Sequence, residues 1–293
     1  MKKTPKSLYP KLIEASYRQY LLGLVNEIKR TIRKIVFPVI DHVNIRQDAP
    51  PRNENWADEV DNTMHYLKIS SASIVNEPNL RAHLISIGKK TNAWNDKEWR
   101  KVMHSVLSVD VFKKEAWLGS HLKAFVNTNT SLVTKLSTDT QHEVRRVIEN
   151  GIRSGDTSRT IREALISETG LRGLNEVPWL NKVEARAQLI ARDQIGKLNG
   201  ELTNLRQTEL GIETYYWRTM EDEVVRPEHA ALDGMLCRWD DDSVYSDDDG
   251  KTWQGRTSEM FDGKPGEDYQ CRCSAEANFT DEDFIAPELR EAA

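Results

Sequence analysis

At Gly211 the apolar period of this chain changes, and that switch limits what it can fold into. Before it, apolar residues recur at three- and four-residue spacing, the period of amphipathic helices. After it, Ile212-Glu213-Thr214-Tyr215-Tyr216-Trp217-Arg218-Thr219 is β-branched and aromatic, which favours a strand. The rest is rich in loops and turns. The expected class is α+β: a mainly α-helical N-terminal two-thirds, then a small loop-rich α+β C-terminal lobe.

The helical part divides further. Over residues 11–36, Leu21, Leu24, Val25, Ile28, Ile32, Ile35 and Val36 form one apolar stripe, with Lys29, Arg30, Arg33 and Lys34 largely opposite. Pro38 is expected to interrupt this helix, and 48–53 to be a linker. Further helices are expected at about 55–75, 78–90, 95–106 and 108–127, with Asn95 and Asp96 as caps and Trp94, Trp99 and Trp117 as packing anchors. Thr138 and Gln141 read as a capping box opening a helix through Ile148, which Gly151 closes. Gly155-Asp156-Thr157 starts another helix, ended by Gly170. A longer helix at about 179–210 follows Pro178, with Gly211 as its cap.

Charge is unevenly placed. Residues 1–46 carry ten Lys/Arg against three Asp/Glu, net +7, whereas 219–293 carry seven against twenty-one, net −14. A basic head and an acidic tail imply two surfaces rather than one nucleic-acid groove. No apolar signal core lies between Thr4 and Arg18, and the longest apolar run, Ile35 to Ile40, is far short of the ~20 residues of a membrane span. Three cysteines, few and odd in number, make a reducing compartment the default.

All three cysteines lie near the end, with His229. Seven residues separate His229 from Cys237, and one separates Cys271 from Cys273. Three readings stay open. His229, Cys237, Cys271 and Cys273 supply the count of a closed Cys₃His structural zinc site, the only cofactor expected. Cys237 could instead form a disulfide with Cys271 or Cys273, or the thiols could be reduced and packed. Arg226, Arg272, His229 and Asp233 could also do acid–base chemistry on a phosphate, although Asp233-Gly234 more simply makes a turn. Ser246-Asp247-Asp248-Asp249-Gly250-Lys251-Thr252-Trp253 fits the Asp-box hairpin and occurs once. The runs 240–242 and 247–249 lack EF-hand spacing and read as solvated loops.

The run from Ala185 to Phe279 resembles the phage Mu F-like minor head proteins, the head-morphogenesis family of tailed phages. The matching pieces are Ile190-Ala191-Arg192-Asp193, then Tyr216-Trp217-Arg218-Thr219, then Arg226-Pro227-x-His229-Ala230-x-Leu232-Asp233-Gly234. Pro265-Gly266 leading into Cys271-Arg272-Cys273 completes the set. The helical stretch from Asn127 to Gly170 is similar to the family's upstream segment. The apolar spacing gives a helical N-terminal region over 1–126, and the resemblance implies a Mu F-like domain over 127–293, with helices at 137–210 and the α+β lobe at 211–280. It also implies a non-enzymatic minor head protein in the virion, assembled in the host cytoplasm. Its partners would be the portal and inner capsid, with a role in morphogenesis and in DNA packaging or ejection. Only about fourteen residues follow Phe279, too few for an appended toxin domain. The basic segment Lys2 to Arg46 could contact DNA phosphates.

Overall fold

A computed structural model of the chain describes residues 9–43, 55–107, 115–166 and 179–279. The order is α1 (Lys11–Val43), α2 (Trp56–Ile74), α3 (Glu77–Leu107), α4 (Leu118–Ser154), α5 (Ser158–Leu165), α6 (Trp179–Glu209) and β1 (Thr214–Arg218). Then come α7 (Pro227–Ala230), β2 (Leu236–Arg238), β3 (Val244–Ser246), β4 (Gln254–Gly255) and β5 (Ser274–Ala277). The mainly helical N-terminal part and the small α+β lobe are therefore as expected, with the change at Gly211. The expected linker 48–53, Gly170 and Pro178 lie outside the described residues.

Two compact units are built from interleaved segments. One comprises Ser16–Leu84 and Val126–Ala191; the other comprises Met1–Ala15, Ile85–Phe125 and Arg192–Ala293. The first is helical. Its core is the α1 stripe Tyr17, Leu21, Val25, Ile28, Ile32, Val36 and Ile40, all buried, with Leu67 of α2 and Val144 and Ile148 of α4. Tyr17, fully enclosed, donates its hydroxyl proton to Asn129 Oδ1 at 2.8 Å, so the buried polar group is satisfied.

The second unit holds the sheet. Its order is β4-β3-β2-β1-β5, and every pairing is antiparallel. Tyr215 lies opposite Cys237 on one side and Ala277 on the other, while Trp217 lies opposite Ala275. Alternation along β1 buries Tyr215 and Trp217 on one face. They join Leu232, Cys237, Trp239, Cys271, Cys273 and Ala275 in one core. Gln207 of α6 ties helix to sheet: its Nε2 donates to the Ala275 carbonyl and its Oε1 accepts from Trp239 Nε1, each at 3.0 Å.

Four local expectations are corrected. Pro38 sits inside α1, which runs on to Val43; the buried stripe continues through Ile40 and Val43, and that packing outweighs the lost backbone bond. Asn95 and Asp96 do not start a helix but lie within α3. Asn95 is buried; its amide donates to Asn199 Oδ1 and Thr203 Oγ1 at 2.9 Å each, and its oxygen accepts from Arg206. Thr138 and Gln141 are likewise inside α4, where the Thr138 hydroxyl bonds back to the Thr134 carbonyl instead of capping. Gly151 is also interior; α4 ends at Ser154, before Gly155 with φ +73°. Thr157 does cap α5, accepting from the Thr160 amide at 3.1 Å.

Two of the three tryptophans expected as anchors show packing contacts: Trp99 stacks on Phe279, and Trp117 adds polar ties. Trp117 donates to Glu209 at 3.0 Å, and Arg206 stacks over its ring. The Asp-box segment forms the β3–β4 hairpin: the Asp248 carboxylate accepts from the Thr252 amide at 2.9 Å and from the Thr252 and Ser246 hydroxyls.

Candidate functional site

The Arg226-to-Gly234 run folds as one helical turn and one tight turn. Pro227 occupies the first helical position, where its missing N–H is harmless, and α7 carries His229 inward. Gly234, at φ +80°, allows a left-handed turn; its amide donates to the Trp217 carbonyl at 2.8 Å. Asp233 accepts from the Thr219 amide at 2.7 Å, which fixes the turn against the end of β1. Leu232 is fully buried beneath it.

The second half of the motif lies along α6. Gly196 and Gly200 are one helical turn apart, and Cβ atoms there would come within 2.4 Å of the Cys271 carbonyl oxygen and 2.3 Å of the Pro265 carbonyl oxygen. Pro265-Gly266 therefore rests on a glycine groove of the helix, with Gly266 at φ +94°. Asp193 completes the dock by accepting from the Gln270 amide at 3.0 Å. The result aims Cys271 and Cys273 at the same point as His229.

His229 Nδ1 lies 3.4 Å from Cys273 Sγ and 3.5 Å from Cys271 Sγ. The three ligand-type atoms all fall within 4.8 Å of one another, and all three residues are buried. The other ring nitrogen, Nε2, meets Asp268 Oδ2 at 2.9 Å. Asp268 is held in turn by Arg226, whose other nitrogen donates to the Tyr269 carbonyl at 2.6 Å. Trp217 approaches the imidazole edge-on and Phe261 stacks on it. Cys271 Sγ accepts from the amides of Gly266 at 3.4 Å and Cys273 at 3.3 Å.

The electrostatics follow from these partners. The two thiols titrate as a pair: the Cys273 thiol bonded to Cys271 holds Cys271 well below the usual thiol range, helped by His229 and the two amides against the cost of burial. Cys273 is correspondingly pushed up, first by that same bond and then by burial. Burial opposes charge on His229, but Cys271 and Asp268 outweigh it and raise its pKa. Burial likewise opposes charge on Asp268, and His229, the Tyr269 amide and Arg226 together lower its pKa.

The structure thus brings His229, Cys271 and Cys273 together and leaves Cys237 in the same core but outside that group. Cys237 sits on β2 opposite Tyr215, with burial raising its pKa. All three thiols are free. The carboxylate on His229 is Asp268, while Asp233 serves the turn; Arg272 pairs with Asp222 at 2.8 Å. Asp268, Asp193, Gly196 and Gly200 were missed as site residues. The glycines do carry a sequence signal: two residues without side chains, four apart, in an otherwise strong helix. Asp268 carries no such signal.

Residues 139–276 match the family model described as Phage Mu protein F like protein. Over that segment the chain is similar to phage Mu protein F. A Haemophilus influenzae protein described as "Uncharacterized protein" is 29% identical over 160 residues, which covers 53% of this chain and 32% of the relative. The chain therefore spans about a third of the length of that curated relative. No solved structure matches the chain significantly. The Mu F-like segment contains the α7 turn, the α6 glycines and both terminal cysteines of the site.

Proposed function

We propose that this Mu F-like chain is a minor head protein of a tailed phage that acts in head morphogenesis, as a structural component rather than an enzyme. One observation carries the reading. Trp217, Arg226, His229, Asp233-Gly234, Pro265-Gly266 and Cys271-Arg272-Cys273, the pieces of the family resemblance, pack into one small lobe within the matched segment. Their polar groups bond to one another: Asp233 holds a turn, Arg226 holds Asp268, and Asp268 holds His229. That is the work of a scaffold.

In this proposal the protein belongs to the phage head and is assembled in the host cytoplasm. Its helices dock on the portal and the inner capsid, and it contributes to DNA packaging or ejection. The motive is physical: long amphipathic helices and partly buried tryptophans are common interface anchors. Among the described residues no helix is long and apolar enough to cross a membrane. Co-purification of the full chain with the cognate portal protein is the test. Retention of the pair through gel filtration is expected, and failure to associate with portal under assembly conditions overturns the portal reading.

A second reading, contact with packaged DNA through residues 1–46, is favoured by Arg30, Arg33 and Lys34, which are exposed within a little over one turn of α1.

A further inference from the structure

The imidazole and the two sulfurs sit as the ligands of a tetrahedral ion would. Bonds of about 2.0–2.1 Å to nitrogen and about 2.3 Å to sulfur, at a tetrahedral angle, separate the two donors by about 3.6 Å. The distances here are 3.4 and 3.5 Å. We propose that His229 Nδ1, Cys271 Sγ and Cys273 Sγ form a three-point centre for a zinc-class divalent ion, whose fourth place is held by an exchangeable small ligand, not by Cys237.

Four observations support this. The donor set is soft and borderline, an imidazole with two thiolates, which suits zinc rather than magnesium or calcium. The carboxylate of Asp268 on Nε2 leaves Nδ1 to serve as the ligand atom, the carboxylate–histidine arrangement that orients metal-bound imidazoles. Two backbone amides already point at Cys271 Sγ, as they would to steady a thiolate. Finally, the three residues line a cavity of about 260 Å³ whose walls include Arg192, Met220 and Gln270. That is room for a water, whose share of liquid volume is about 30 Å³, or for a somewhat larger ligand.

The fourth place is open for a geometric reason. Among the described residues no further His, Cys, Asp or Glu joins the group of three. Asp268 occupies the far nitrogen of the ring, and Cys237 belongs to the sheet register opposite Tyr215. Two thiolates also neutralise a divalent ion, so the assembled centre carries no net charge and takes water as readily as an anion.

The test uses the full chain. Purified protein is expected to hold one zinc per chain by elemental analysis. Cobalt exchanged for zinc should give a thiolate-to-metal charge-transfer band and tetrahedral ligand-field bands, and added azide or imidazole should shift the latter. Cys237→Ser should keep the metal, Cys271→Ser and Cys273→Ser should lose it, and Asp268→Asn should weaken its binding by about 10- to 100-fold. A metal-free protein that gives no charge-transfer band with cobalt overturns the centre, a result that needs no variant to fold. Ligand-field bands indifferent to azide and imidazole overturn the open place, and so does metal loss in a folded Cys237→Ser protein. None of these outcomes bears on portal binding, so the two proposals stand or fall separately.

Discussion

At the scale of single residues, Asp248 shows how a short motif fixes a hairpin. Its half-buried carboxylate accepts from the Thr252 amide and from the Ser246 and Thr252 hydroxyls, and these bonds lower its pKa from 3.8 to about 2. A carboxyl whose pKa falls on folding contributes stability that is complete above the unfolded value and is lost as pH drops through the folded one. The hairpin should therefore keep its structure down to about pH 4 and loosen between there and about pH 2. NMR titration of the Asp248 carboxyl and the Thr252 amide would record both transitions together, and an Asp248 midpoint near 3.8 would contradict the account. This motif was legible because each of its residues acts locally. The His–Cys–Cys site was legible only in part: type and clustering marked His229, Cys271 and Cys273, but Cys237 is of the same type and only strand pairing separates it from them. Asp268 was invisible, since nothing in a chain rich in acidic residues says which one will reach an imidazole.

Elements raise a different question, which is where helix periodicity stops being informative. It located α2 and α6 nearly to the residue and α5 at its start, because apolar spacing is set by the helix itself, but α5 ends at Leu165, short of the expected Gly170. It failed at helix ends. Asn95, Thr138 and Gln141 are cap-type residues placed inside long helices, where one is paired to side chains across the unit and another bonds back to its own backbone. Arg206 shows what such a buried pairing is worth. It is almost fully enclosed, grips both oxygens of Glu115 at 2.6 and 2.8 Å, and donates to Asn92 and Asn95. Arg206→Ala strands these acceptors and should cost about 3 kcal/mol. Arg206→Lys, keeping the charge but losing the fork, should cost less, and urea unfolding of both would check the order. Gly200 offers the opposite sign of surprise. Alanine usually stabilises a helix over glycine by about 1 kcal/mol. Here its Cβ would fall 2.3 Å from the Pro265 carbonyl, and backbone displacement of that kind costs about 1–3 kcal/mol. Gly200→Ala and Gly196→Ala should thus lower the urea midpoint, whereas Gly119→Ala, with open space around it, should not.

The whole molecule is organised by contacts that ignore chain order. The fold class was readable from the change at Gly211, yet each compact unit draws on two or three separate stretches of chain, and the Mu F-like segment has residues in both. Periodicity reports the near neighbours of a residue and is silent on which distant helix it meets. A helical region over 1–126 and a Mu F-like domain over 127–293 stand as a proposed division of sequence rather than of packing. Charge is the molecule-wide property that sequence does report. With net charge −5 overall but +7 over residues 1–46, any contact with DNA should be local and electrostatic. Duplex binding by the full chain should weaken steeply between about 50 and 200 mM salt, and neutralising Arg30, Arg33 and Lys34 to Gln should reduce the slope of log affinity against log salt by up to about 3. Flat salt dependence would reject that contact.

The strand order carries a consequence for synthesis. β1 leaves the ribosome some sixty residues before β5, the neighbour that must pair along its open side. In the interval Tyr215 and Trp217 have β2 beside them but not the last strand, and Cys273 has not yet arrived. The lobe is therefore completed by its final stretch, and a message truncated after β2 but before residue 274 would yield a protein with a sticky, unpaired sheet edge rather than a slightly smaller one.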